Sequence, residues 1–297
     1  MVGGVARKGA FALLLVISQS AFATHFWGGS VRYQLGASTA TTQDVTFYVE
    51  SQWRESFYPG TLAVGSTLDL GQNFAFGDGG STSLVANIVA VDPAMDRFRG
   101  ESIISHTYSI GSAPYTAMMS SCCRSSVFLN GNGDQSYILK TDVATAPGSA
   151  ASPSVFDNQF TYDLLEGVSA GVQLGTGPDS GNVSFVYTAP ADSGLVSFNT
   201  PQFSLGSDGL LTYNGDAAAL GYYAFQVRAM DTATGLWTVK DFNVNLVSSC
   251  DAGCYQAPAP VPVPEPKAYL LFGLALLGLV GIIRYRKPAE AGPGGSM

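Results

Sequence analysis

Charge is scarce in this sequence. Asp, Glu, Lys and Arg together make up 12% of its 297 residues. Lys and Glu, which favour exposed helix faces, are few, and no long amphipathic helical pattern runs through Thr24 to Val247. That argues against a helical bundle. Histidine is nearly absent: His25 and His106 are the only two. Metal sites built on three or more histidines are thereby excluded, and any Ser-His-Asp triad would have to use one of these two bases. Positive charge is missing from the body of the chain. Thr24 to Pro266 holds 8 basic against 21 acidic residues, a net −13. Such a field repels phosphate backbones, so no nucleic acid is expected as a partner.

Gly (35), Ser, Thr and aromatic residues are plentiful, a mixture that strands and turns use well. Short period-two stretches alternate with Gly, Asp, Asn and Pro clusters. In Asp44 to Glu50, Val45, Phe47 and Val49 share a face; Val183 to Tyr187 and Tyr222 to Met230 are further strands. Near the end, Trp237 and Val239 hold one phase while Phe242, Val244 and Leu246 hold the other. The slip at Lys240-Asp241 predicts a bulge or a switch between sheets. The small-residue and proline stretch Thr145 to Pro153 predicts a boundary. The fold class expected is all-β: two tandem β-sandwich domains, 24–147 and 148–249.

The long apolar runs lie at the chain ends. Arg7 and Lys8, the apolar Gly9 to Ile17 and the small residues of Ala21-Phe22-Ala23 follow signal-peptide grammar, giving a signal peptide over 1–23. Ala268 to Ile283 is a 16-residue apolar run. At about 1.5 Å per residue it spans roughly 24 Å, marginal for a bilayer core of about 30 Å. Arg284, Arg286 and Lys287 follow at once and mark the cytoplasmic side, so the body faces outward and 288–297 is a cytoplasmic tail. Residues 250–266 form a cysteine loop and a proline-rich spacer.

Three segments resemble known families. Val263-Pro264-Glu265-Pro266, the apolar run and Arg284-Tyr285-Arg286-Lys287 together resemble the PEP-CTERM sorting signal, over 267–287 and the motif before it. That resemblance implies a Gram-negative source, an exosortase as partner, anchoring in the inner membrane facing the periplasm, and later release to the cell surface or matrix. It also implies an association with exopolysaccharide and biofilm. Phe76-Gly77-Asp78-Gly79 with His106-Thr107-Tyr108 resembles the PKD family, although Phe74 stands where that family has Trp. His25-Phe26-Trp27-Gly28-Gly29 and Cys122-Cys123-Arg124 resemble secreted multidomain proteins whose first module is PKD-like. The stretch from Phe203 through Gly209 to Tyr213, Gly221-Tyr222-Tyr223 and Met230-Asp231 to Val244 resembles cadherin-like or Ig-like modules.

Four cysteines in an exported chain favour disulfides. Cys250 and Cys254 can close a local loop, with Cys122 and Cys123 bonded to each other or reduced; cross-pairing between the two pairs is the alternative. Calcium is the one ion the pattern suggests. Asn130, Asn132 and Asp134 alternate as in calcium loops, but Gln135 replaces the EF-hand glycine, and a hairpin turn is the competing reading. No other cofactor is expected. Glu50, Glu55 and Glu101 could supply paired carboxylates for glycoside hydrolysis, yet nothing in their spacing selects a pair. The function expected is a non-catalytic exported surface or matrix protein. The alternatives are a carbohydrate-binding protein with Trp27, Trp53, Tyr58 and Trp237 as an aromatic platform, against which core packing of each ring is the favoured reading, and an extracellular hydrolase.

Overall fold

The computed structural model describes residues 25–255, apart from 112, 176–181, 197–199 and 251–253. The expected signal peptide, Val263 to Pro266, the apolar run and Arg284, Arg286 and Lys287 lie outside the described residues. Among the described residues no helix is long and apolar enough to cross a membrane.

The architecture is all-β. Seven strands come from the first half: β1 (Phe26–Ser38), β2 (Thr42–Arg54), β3 (Thr67–Ala75), β4 (Ser81–Asp92), β5 (Arg97–Ser109), β6 (Tyr115–Ser121) and β7 (Tyr137–Val143). Seven more follow: β8 (Thr161–Leu165), β9 (Ala170–Gln173), β10 (Val183–Tyr187), β11 (Phe203–Leu205), β12 (Leu210–Tyr213), β13 (Gly221–Asp231) and β14 (Trp237–Val247). The period-two stretches fall on β2, β10, β13 and β14, with their apolar phases buried.

Two large apolar cores form, with two smaller clusters beside them, and the first core takes Trp237 and Val239 from β14 as well as the residues of β1 to β7. In the first, β7 folds back over β1, so that Tyr137 stacks on Phe26 at 4.1 Å between ring centroids and Phe74, Met119 and Leu139 meet Phe47 and Val49. In the second, β8, β13 and β14 face the small sheet β11-β12-β9 across Tyr162, Val172, Phe203, Leu211, Phe225 and Phe242.

The halves are not separate beads. One sheet runs β10-β13-β14-β1-β2-β5-β4-β3-β6-β7, with β8 added to β14, and crosses the expected boundary. The described residues accordingly lie in one compact unit ending at Tyr255. The link is the pairing of β1 with β14 at Gly29↔Asp241, Ser30↔Lys240 and Val31↔Val239. The physical reason is the Gly28-Gly29 pair: a Cβ on Gly28 would sit 2.6 Å from the Asp241 carbonyl oxygen, closer than packed atoms approach. The segment read as a linker is also held down, because Ser152 Oγ accepts the Tyr33 amide at 2.7 Å and Val155 is buried.

The phase slip at Lys240-Asp241 is a switch of partners and not a bulge. Pairing of β14 with β13 runs without interruption from Trp237 to Leu246. On its other edge β14 meets β1 at Val239 to Asp241, then β8 in parallel from Asn243 to Val247. Trp237 and Val239 therefore enter the first core, while Phe242, Val244 and Leu246 on the opposite face enter the second.

Gly28→Val should lower stability by about 1–3 kcal/mol, the usual cost of overpacking a tight site. Urea unfolding of the full chain checks it; an unchanged midpoint would mean that the two strands do not depend on this close approach.

Candidate functional site

Because β14 is covered on both faces, its polar residues have no water to turn to. Lys240 and Asp241 are adjacent, point to opposite faces, and are both buried. On one face Lys240 Nζ donates to Asp157 Oδ1 and, at 2.8 Å, to the Tyr162 hydroxyl. On the other, Arg124 donates to Asp241 Oδ2 and, at 2.9 Å, to the Ser193 carbonyl, and Gln226 Nε2 donates to the same Asp241 oxygen at 3.1 Å. Burial holds the Lys240 ammonium below the ordinary lysine value, opposed by Asp157 and Glu50. Burial likewise pushes the Asp241 carboxyl up, opposed by Arg124 and Gln226.

The motif residues assemble around these pairs. The Phe26 amide donates to the Cys123 carbonyl at 3.1 Å, and the Ser125 amide to the Phe26 carbonyl at 3.0 Å. His25-to-Gly29 and Cys122-to-Arg124 thus form one junction that delivers Arg124 to Asp241. Cys122 is bonded to Cys123 and Cys250 to Cys254, which matches the local pairing among the alternatives. His106 is also absorbed. Its Nε2 lies 2.7 Å from Asp78 Oδ2, its ring stacks on Phe76 at 3.8 Å, and the Tyr108 hydroxyl donates to the Phe76 carbonyl. This bond to His106 holds the Asp78 carboxyl below the usual carboxylate value.

Other expected residues do not converge. Asn130 accepts the Ala224 amide and donates to the Ala224 carbonyl, while Asn132 accepts the Val196 amide. Their oxygens hold two different backbone segments, and Asp134 is a turn residue with φ 56°. Among the described residues no group of three or more His, Cys, Asp or Glu side chains could hold a metal ion. The aromatic platform needs a correction as well. Trp27, Trp53, Tyr58 and Trp237 are 7%, 0%, 9% and 8% exposed, and no described aromatic residue ranks among the exposed large apolar ones. Trp53, Tyr58 and Trp237 pack in the first core, and Trp27 packs in a small separate cluster with Phe128, Leu195 and Ala224, instead of facing a sugar.

Two features escaped the sequence reading. Gly167-Val168-Ser169-Ala170-Gly171 has the G-x-S-x-G spacing, but it joins β8 to β9 rather than a strand to a helix. Ser169 Oγ donates to the Asn214 carbonyl at 2.7 Å, so it is a turn serine. The second feature is a charged seam on the outer face of β2 and β5, facing the loop 157–161. Glu50 stands directly opposite Glu101, Gln52 opposite Arg99 and Arg54 opposite Arg97. Arg97 donates to Thr161 Oγ1 and Arg99 to the Asn158 carbonyl, both at 2.8 Å. Burial pushes the Glu50 carboxyl up, and Glu101 adds to the shift against Arg32, Arg99 and Lys240. Next to this seam lies a cleft of about 500 Å³ lined by Gln52, Arg97, Arg99, Asn158, Gln159 and Thr161 among others.

With that geometry in place, the comparisons divide the chain in two. The PEP-CTERM protein-sorting motif matches residues 262–287. The chain carries an exosortase sorting tail. It is therefore an exported protein, anchored at a membrane before processing. Residues 27–146 match the family described as integrin beta-like protein A-E, N-terminal. Integrin beta-like protein E of Dictyostelium discoideum is 34% identical over 106 residues, which make up 33% of this chain and 5% of that protein. The chain spans a small part of that relative. The PKD and cadherin-type likenesses rest on their motifs alone.

Two outcomes test the buried charges. Arg124→Met should cost about 3–5 kcal/mol by leaving Asp241 buried and unpaired, and adding Asp241→Leu should restore part of it. Denaturant unfolding of the single and double variants checks this; additive losses would show that the pair is not coupled. Glu50→Gln should raise the melting temperature at neutral pH and change little near pH 4. The folded-state value of Glu50 lies above its ordinary 4.5, so its contribution is kept below that value and lost as pH rises through the raised one. Equal melting curves at pH 7 would remove Glu50 from the account.

Proposed function

We propose that this chain is a non-catalytic surface or extracellular-matrix protein that an exosortase processes and that associates with exopolysaccharide. The sorting motif at 262–287 carries the reading. In this reading the acidic all-β body faces outward from the inner membrane until the tail is cut, an orientation that the basic residues Arg284, Arg286 and Lys287 behind the apolar run support. The body suits exposure: both described cysteine pairs are closed as disulfides, and the buried cations Arg124 and Lys240 are each paired with a carboxylate. The likeness of residues 27–146 to integrin beta-like N-terminal regions supports a surface role and names no ligand.

Support for catalysis is weak. His106 is held by Asp78 and Phe76, and Ser169 is a turn residue. Glu50 and Glu101 do stand opposite each other, but burial and like charge raise Glu50 beside three cations, an arrangement that also serves to pin the seam.

Processing tests the reading. In a host with an exosortase, the chain should appear at the surface or in the medium shortened at its C-terminal end. Replacing Pro264, Glu265 and Pro266 by Ala should leave it full-length in the inner membrane. Identical processing of the two forms, measured by fractionation and intact mass, would overturn it.

A further inference from the structure

We infer that the cleft between β5 and the loop 157–161 binds a carboxylated sugar unit, a hexuronate. The argument starts from Arg97. Its side chain is 8% exposed, yet its nearest carboxylate, Asp92, is 3.8 Å away and half exposed. The other deeply buried cations, Arg124 and Lys240, each touch a carboxylate directly. A guanidinium taken out of water without a close counter-ion is costly, and an incoming anion at hydrogen-bond distance would offset that cost.

The surroundings of Arg97 fit such an anion. The Arg97 guanidinium packs over the Trp27 ring at 5.1 Å, which fixes its plane. Arg99, two residues on along the same face of β5, lines the same cleft. Two guanidiniums side by side supply the planar donor forks that carboxylates accept.

The rest of the lining selects a sugar. Gln52, Asn158, Gln159 and Thr161 bring amide and hydroxyl groups, which both donate and accept, and the lining carboxylates Asp92 and Asp157 add acceptors for sugar hydroxyls, Asp157 being paired with Lys240. The volume of about 500 Å³ falls within the range of small-ligand sites. Polyphosphates are disfavoured by the net −13 of the body, whereas one carboxylate per sugar asks less of that field. Recognition here depends on charge and hydrogen bonds, in keeping with the burial of all four candidate stacking rings.

This site deepens the exopolysaccharide part of the proposed function and is independent of export. The test is titration calorimetry on the full chain in detergent, with D-glucuronate, oligogalacturonate, glucose, inorganic sulfate and an acidic Glu-rich peptide as probes. Glucuronate and oligogalacturonate should bind saturably and glucose should not. Tighter binding of the oligomer would identify a polymer as the source of the carboxylate; equal binding would identify the free sugar acid. Arg99→Gln, which removes the charge and keeps an amide donor, should weaken binding at least tenfold in a chain that circular dichroism shows to be folded. Arg97→Lys, which keeps the charge and loses the fork, should weaken it as well. The inference is overturned if neither uronate binds, if both variants bind as well as the wild type, or if sulfate or the peptide binds as tightly as the uronates. Loss of uronate binding with C-terminal processing intact would remove the site alone; loss of processing with binding intact would remove the export reading alone.

Discussion

Lys240 and Asp241 are neighbours of opposite charge on a strand that water does not reach. Their side chains leave β14 on opposite faces, so one partner cannot serve both. Lys240 finds Asp157 in the second half of the chain, and Asp241 finds Arg124 in the first. Each pair is a constraint on register as well as a neutralisation. A two-residue slide of β14 would keep the same faces buried but strand both charges. Buried pairs add little net stability compared with apolar residues, so their contribution here lies in specifying one alignment of the two halves.

That constraint gives a physical meaning to two short motifs. Gly28-Gly29 admits the β14 backbone against β1, and Phe26 before them anchors the strand between Trp53 and Tyr137. Arg124 follows the Cys122–Cys123 bond, and the chain there is fastened to Phe26 on both sides. The first half thus brings an open strand edge and a buried cation to the same place. The second half brings the strand and the anion that complete them.

The strands themselves were legible because their apolar alternation is the direct imprint of a half-buried face. Val45, Phe47 and Val49 or Phe225, Val227 and Ala229 need no tertiary knowledge. The local disulfides were legible from spacing. The joining of the halves was not, because a small-residue stretch such as Thr145 to Pro153 looks the same whether free or pinned to Tyr33 by Ser152. Nor were the charge pairs, whose partners lie 83 and 117 residues apart. The phase slip at Lys240-Asp241 was the visible trace of both: a strand that serves two cores must change its buried face, and polar residues fall at the change. The tryptophans left two readings open for the opposite reason. In a chain with few charges a large ring can be core or platform, and only the packing of Trp53 against Phe26 and Tyr137 decides.

An exported protein gains from this arrangement. Joining two sandwich-like cores through one shared strand removes a flexible linker, which would otherwise be the easiest point of proteolytic attack. It also fixes β5 opposite the loop 157–161, so that residues far apart in sequence face each other across a fixed gap. Arg97 and Arg99 come from the first half, Asn158 to Thr161 from the second, and the bonds from Arg97 to Thr161 and from Arg99 to Asn158 cross between them. The seam and the cleft beside it therefore exist only because β14 holds both halves. One residue joins the buried charge pairs to the cleft: Asp157, which pairs with Lys240, also lines the cleft.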